Sequence, residues 1–210
     1  MTTFYLVRHA HADWSTDEDR RLSRRGYQDT IELGFGLGRY PITIIYSSPY
    51  RRARETVGTL SLWTAVPVAI ESDLRERALG DFGDGDFNQA VEATWRDPSF
   101  AYPGGESNEA AQHRGVDALR RMRVHYPDDY IVVSTHGNLM ALMLQHFDPS
   151  IDFAFWRSLT MPDVYELQWP VEDETGIRRL MLPDPLRVAE PPPGTPDSAA
   201  WVDRDTESGE

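Results

Sequence analysis

Short, continuous apolar runs alternate along the chain with longer stretches whose apolar positions recur every three or four residues. Runs at 3–8, 42–47, 66–70 and 130–135 predict buried strands, the second being strongly β-branched, Ile-Thr-Ile-Ile-Tyr-Ser. Two further runs, 164–169 and 177–182, predict final strands joined by the acidic turn 172–176. Between them, helices are expected from an N-cap at Ser23 to about Gly34, over 51–60, over 108–125 and over 138–146. Gly34, Gly36 and Gly38 are read as the breakers of the first. Strands alternating with helices imply an α/β domain, a three-layer α/β/α sandwich around a mostly parallel sheet.

Two segments break the rhythm. Residues 71–107 are rich in Gly, Asp and aromatics with few clear periods, and are expected to leave the sheet carrying short helical pieces. From Pro183 the chain is Pro-rich and acidic, expected to be a disordered tail over 183–210. The domain is therefore expected to span 1–182.

Composition narrows the function. The 210 residues suffice for a core burying roughly 70% of the unfolded surface without disulfide or metal. Cys is 0, which removes disulfide scaffolds, thiolate metal sites and cysteine nucleophiles. Lys+Arg number 21 against 34 Asp+Glu, a net charge of -13. That field opposes nucleic acid and anionic membranes, so an anion site has to be a local basic pocket. No apolar run is long enough to span a membrane, and no leader pattern opens the chain, so the expected location is cytoplasmic.

Four candidate sites follow strand ends, where open α/β sheets bind ligands. Arg8-His9 combines a planar fork of donors with an imidazole able to attack phosphorus, or is a strand-end polar pair. His9-x-His11-x-Asp13 also begins like a binuclear zinc motif, but Trp14 stands where a further His belongs. Ser48-Pro49-Tyr50-Arg51-Arg52-Ala53-Arg54-Glu55-Thr56 puts three arginines at a helix start, a phosphate site or a solvated face. Ser134-Thr135-His136-Gly137-Asn138 places a histidine between a buried strand and a glycine. Glu76, between Arg75 and Arg77, is a candidate acid or an ordinary ion-pair partner. Asp81-Phe82-Gly83, Asp84-x-Asp86-x-Asn88 and the 34–38 glycines fail as kinase, calcium and dinucleotide motifs.

Taken in order, Arg-His, Ser-Pro-x-x-Arg-Ala-x-x-Thr, Leu-Arg-Glu and Thr-His-Gly resemble the histidine phosphatase superfamily, the phosphoglycerate-mutase-like fold, over residues 3–182. Leu22-Ser23-x-x-Gly26, Leu79-Gly80-Asp81-Phe82-Gly83 and Gly104-Gly105-Glu106-Ser107 fit the same pattern. The resemblance implies that His9 becomes phosphorylated, that Arg8, Arg52 and His136 hold the phosphoryl oxygens, and that Glu76 is the general acid. Trp14, Ser15, Gly137 and Asn138 are then expected near the substrate. Departures are Ala10 for the usual Gly, His11 for an acidic or polar residue, and Ser15 where an Asn often stands. The expectation is a phosphatase of small phosphomonoesters needing no metal or cofactor, with 71–107 setting specificity. Alternatives are mutase-type phosphoryl transfer, a non-catalytic phospho-ligand module, and a metal hydrolase using His9, His11 and Asp13. Phe82, Phe87, Trp95, Phe100 and Tyr102, with Trp14, are either core packing or an apolar wall over the leaving group.

Overall fold

The computed structural model describes residues 1–13, 15, 19–169 and 176–182. The expected acidic turn and the 183–210 tail lie outside these, as does Trp14. A six-stranded sheet is formed by β1 (Thr2–Arg8), β2 (Ile44–Ser47), β3 (Val68–Ile70), β4 (Tyr130–Thr135), β5 (Asp163–Trp169) and β6 (Gly176–Arg179) in the order β3-β2-β4-β1-β5-β6. The first four strands in that order are mutually parallel; β5 runs antiparallel to β1, and β6 to β5.

Strand pleating explains why these runs are continuously apolar: both faces are covered. Phe4, Leu6, Ile131, Val133, Tyr165 and Leu167 point to one face, beneath α4 (Asn108–His125) and α5 (Gly137–Gln145). Tyr5, Val7, Ile45, Val132 and Val164 point to the other, beneath α1 (Arg24–Leu37) and α2 (Arg51–Thr64). Each helix start has a physical cause where a cap is present: Ser23 accepts from the Gly26 amide and Ser107 from that of Ala110.

The structure corrects the expected end of α1. The helix runs through Gly34 and Gly36 and stops at Gly38. A Cβ on Gly34 would lie 3.1 Å from the Thr59 methyl, and one on Gly36 2.9 Å from Leu182. These glycines bring α1 close to α2 and to the end of the chain; that packing offsets their poor helix propensity, about 1 kcal/mol each.

Between β3 and α4 the chain makes a 3-10 turn at Ser72–Leu74 and one helix, α3 (Phe87–Arg96). The failed motifs are local structure here. Asp86 caps α3 through the Gln89 amide, and Asp81 accepts from the Gly83 amide in a turn. A short helix not anticipated from the pattern, α6 (Phe153–Ser158), fully buries none of its residues, though Phe155 and Trp156 pack against the core; six residues are too few to show a helical period. No helix among the described residues is long and apolar enough to cross a membrane.

Candidate active site

The carboxyl ends of β1, β4 and β2 deliver the candidate residues to one place. The His9 amide donates to the Thr135 carbonyl, and the Ser48 amide to the Ser134 carbonyl, so the three strand ends are stitched together just where they stop. His9 and His136 come edge to face, with ring centres 5.2 Å apart. Both are buried: His9 is 8% exposed and His136 0%.

His9 Nδ1 lies 2.7 Å from the Ala10 carbonyl. A carbonyl only accepts, so Nδ1 carries the proton and Nε2 keeps its lone pair. Arg52 Nε donates to that nitrogen at 3.3 Å. Burial, and then the nearby Arg52, Arg8 and Arg20 charges, lower the His9 pKa to about 3, although the Ala10 bond opposes this. Ala10 itself is buried, has no positive φ, and donates its amide to Thr56 Oγ1 at 2.9 Å. The Thr56 hydroxyl in turn bonds the Arg52 carbonyl at 2.7 Å. Thr56 therefore ties the backbone after the histidine to the helix that carries the arginine.

Of the three arginines opening α2, only Arg52 turns inward, at 4% exposure. Arg51 pairs with Glu55 on the outside and Arg54 with Asp19. The Tyr50 ring lies against both the Arg52 guanidinium, at 4.7 Å, and the His136 ring, at 5.1 Å. His136 Nε2 is 2.8 Å from Ser48 Oγ. Burial, and then the neighbouring His9 and Arg52, push its pKa well below the ordinary histidine value.

Arg8 lies across the first residue of α5. A Cβ on Gly137 would come within 2.9 Å of its Nε, so only glycine lets the guanidinium approach this closely. Arg8 Nη1 donates to the Leu159 carbonyl at 2.8 Å. Arg8 Nε and His136 Nδ1 are buried with no hydrogen-bond partner among the described residues. Leaving such groups unsatisfied costs about 1–3 kcal/mol each.

Glu76 caps α5: its carboxylate accepts from the Asn138 amide at 3.1 Å, the Leu139 amide at 3.0 Å and the Arg77 amide at 2.9 Å. Its segment is pinned by the Thr135 hydroxyl on the Leu74 carbonyl and by Arg114, which forks Glu106 and reaches the Asp73 and Arg75 carbonyls. The Asn138 side chain is turned away, accepting from Trp95 Nε1 at 3.0 Å and donating to Asn108 at 3.2 Å. The Ser15 carbonyl accepts from Arg20 at 3.3 Å.

The metal alternative finds no geometry. His11 Nδ1 bonds Ser23 Oγ at 2.8 Å while His9 faces Arg52, and no three potential ligands converge among the described residues. The aromatic set is split. Phe82, Phe87, Phe100 and Tyr102 cluster together, whereas Trp95 packs against the core below α5.

Sequence reasoning missed Arg20 and Arg114 as contributors, and gave no role to Tyr50 and Thr56 although both stand in the 48–56 motif. Arg20 has a signal in its place between Asp19 and Arg21, close after the first strand, but only folding shows that its charge reaches both imidazoles. Arg114 is one of several arginines on α4 and has no local signal at all.

A mostly parallel sheet with a histidine and arginines at its strand ends suits a phosphoryl-handling α/β enzyme. The model of the histidine phosphatase superfamily (branch 1) matches residues 4–176, and the chain belongs to that superfamily. It is 26% identical to an uncharacterised phosphatase, PhoE, of Bacillus subtilis, over 82% of this chain and 94% of the relative. It is 28% identical to a putative phosphoserine phosphatase of Hydrogenobacter thermophilus, over 68% and 77%. Among solved structures it resembles mycobacterial glucosyl-3-phosphoglycerate phosphatase, with a TM-score of 0.66, 25% identity, and coverage of 79% of this chain and 89% of that one. The chain is a phosphatase of this superfamily.

Proposed function

We propose that this phosphatase hydrolyses small phosphomonoesters without a metal, through a phosphohistidine formed on Nε2 of His9. The observation that carries the reading is the tautomer: Nδ1 is committed to the Ala10 carbonyl, so a neutral Nε2 lone pair faces the Arg52 guanidinium. Nε2 attacks phosphorus, the bond from phosphorus to the leaving oxygen breaks, and Glu76 in its acid form gives that oxygen a proton. Water then attacks the phosphohistidine, Glu76 takes the proton, and the phosphorus–nitrogen bond breaks. Arg8 Nε, Arg52 and His136 Nδ1–H hold the three non-bridging oxygens, which is most of what phosphoryl transfer requires. Arg20 adds charge nearby.

Hydrolysis rather than mutase chemistry is favoured by the single ten-residue helix, α3, between Glu76 and α4, which offers little cover for a bisphosphorylated intermediate. The exposed Phe87 and Phe100 are candidates to meet the leaving group, and residues 71–107 are thereby the specificity segment. Phosphoserine and glucosyl-3-phosphoglycerate, named for two relatives, open the substrate panel.

The test is p-nitrophenyl phosphate hydrolysis in excess EDTA. Wild-type activity persists, and His9→Ala loses at least about a thousandfold. Activity abolished by the chelator, or retained in His9→Ala, contradicts the proposal.

A further inference from the structure

Arg8 stands directly opposite Asp163 where β1 pairs with β5. Opposed residues of an antiparallel pair share a face, with Cβ atoms about 5 Å apart. Here it is the face that carries Leu6 and Tyr165, toward α5. Asp163 is 4% exposed, a buried carboxylate whose four acceptor positions are all used. Its Oδ2 accepts from the Thr160 amide at 2.9 Å and its Oδ1 from the Val164 amide at 3.1 Å. Arg179 of β6 closes a fork on it, Nε to Oδ1 and Nη2 to Oδ2, both at 2.8 Å. Arg179 also donates to Thr160 Oγ1 at 3.1 Å, and that hydroxyl donates to the Pro162 carbonyl at 2.8 Å.

These bonds fix residues 159–163 as one turn, and that turn supplies the carbonyls of Leu159 and Thr160 on which Arg8 Nη1 rests. The Arg8 guanidinium is thus held on one side by this turn and on the other by the Gly137 backbone, with Nε left over. Asp163 and Glu76 are the carboxylates whose charge opposes the desolvation of Arg8.

We propose that Asp163, forked by Arg179, is a positioning residue that aims Arg8 at the phosphoryl group. The inference rests on the proposed phosphatase site, but its substance is that β5 and β6 set the geometry of an anion-binding arginine on β1. Asp163 touches neither substrate nor His9; it acts through the 159–163 turn and through Arg8.

The test is a double-mutant cycle on the full chain, Asp163→Asn in wild-type and Arg8→Ala backgrounds. It is read by kcat/KM for p-nitrophenyl phosphate, by inorganic phosphate affinity from calorimetry, and by Tm. Asp163→Asn is expected to lower kcat/KM and phosphate affinity about tenfold or more with Arg8 present. Without Arg8 the loss is expected to be less than about threefold, because the residue it aims is gone. Equal losses in both backgrounds, or a fall in Tm alone, overturn the proposal. Should Asp163→Asn not fold, Arg179→Gln opens the fork from the half-exposed side and is expected to show the same dependence on Arg8, with Arg179→Lys partly restoring phosphate affinity. If wild type binds phosphate but turns nothing over, the catalytic reading fails while the phosphate cycle still decides the clamp. Wild type that binds no phosphate overturns the clamp as well.

Discussion

The strand-end site and the 71–107 excursion are built on opposite principles. At the strand ends nearly every polar group has an assigned partner, and the residues are buried by three different elements at once. His9, Arg52 and His136 owe their places to parallel pairing between strands distant in sequence. In the outer part of the excursion, residues 81–100, several bonds come from neighbours a few residues away: Asp86 capping α3, Asp97 bonding Ser99, Asp81 bonding Gly83. Its aromatics stand partly in water, Phe87 at 54% and Phe100 at 39% exposure. The lesson is that the strand-end residues and Glu76 are placed by contacts distant in sequence, whereas the aromatics of the outer excursion are held among themselves, so the two groups can be altered separately.

Substitutions should separate the two regions, beginning with the largest effect. Arg52→Ala removes the cation nearest the His9 lone pair; steady-state kinetics should show kcat/KM falling by about 10²–10³-fold for every substrate alike. Next, Gly137→Ala adds a methyl where Arg8 lies. It should cost about 10–100-fold in kcat/KM with stability changed by less than about 1 kcal/mol, since alanine suits the helix. A loss of folding instead of activity would mean that the glycine serves packing alone.

The pH dependence of stability probes the same buried histidines. His9 is held at about 3 and His136 well below its ordinary value, so both stay neutral in the fold while the unfolded chain takes up protons below about pH 6.5. The unfolded state then binds more protons, and stability falls as pH drops below about 6.5, by up to about 1.4 kcal/mol per pH unit for each histidine that stays neutral in the fold. Urea unfolding of wild type between pH 7 and 5 should show this slope, and His136→Gln should make it shallower. An unchanged slope would mean that His136 is protonated in the fold.

The smallest effects belong to the excursion. Trp95→Phe should cost about 1–2 kcal/mol by stranding Asn138 Oδ1, with equal changes for aryl and sugar phosphates. Phe100→Ala should leave Tm alone and raise KM a few-fold for aryl phosphates only. If Trp95 rather than Phe100 discriminates the substrates, the division between the two regions is misplaced.

How far the sequence foretold this follows from the same contrast. Strands β1 and β4 were legible because a strand buried on both faces is a continuous apolar run, and α4 because its apolar positions recur at helical spacing. The strand-end residues were legible because Arg8-His9, Arg52 and His136 each follow such a run. Asp163 and Arg179 were not, because their meaning depends on β5 lying beside β1, more than 150 residues away. Gly34 and Gly36 were misread because helix propensity is local, whereas the packing of α1 against α2 is not. Asn138, expected near phosphate, shows the same limit: only the fold reveals that Trp95 and Asn108 occupy its amide.

The most direct test of the account is the stereochemistry at phosphorus, using a substrate whose phosphoryl group is chiral through oxygen isotopes. Transfer to His9 Nε2 and then to water is two in-line displacements, so the account predicts overall retention, with phosphate trapped on His9 in acid-free quench and absent from His9→Ala. Inversion, with no phosphorylated histidine, would mean that water attacks the ester directly and would contradict the central role given to His9.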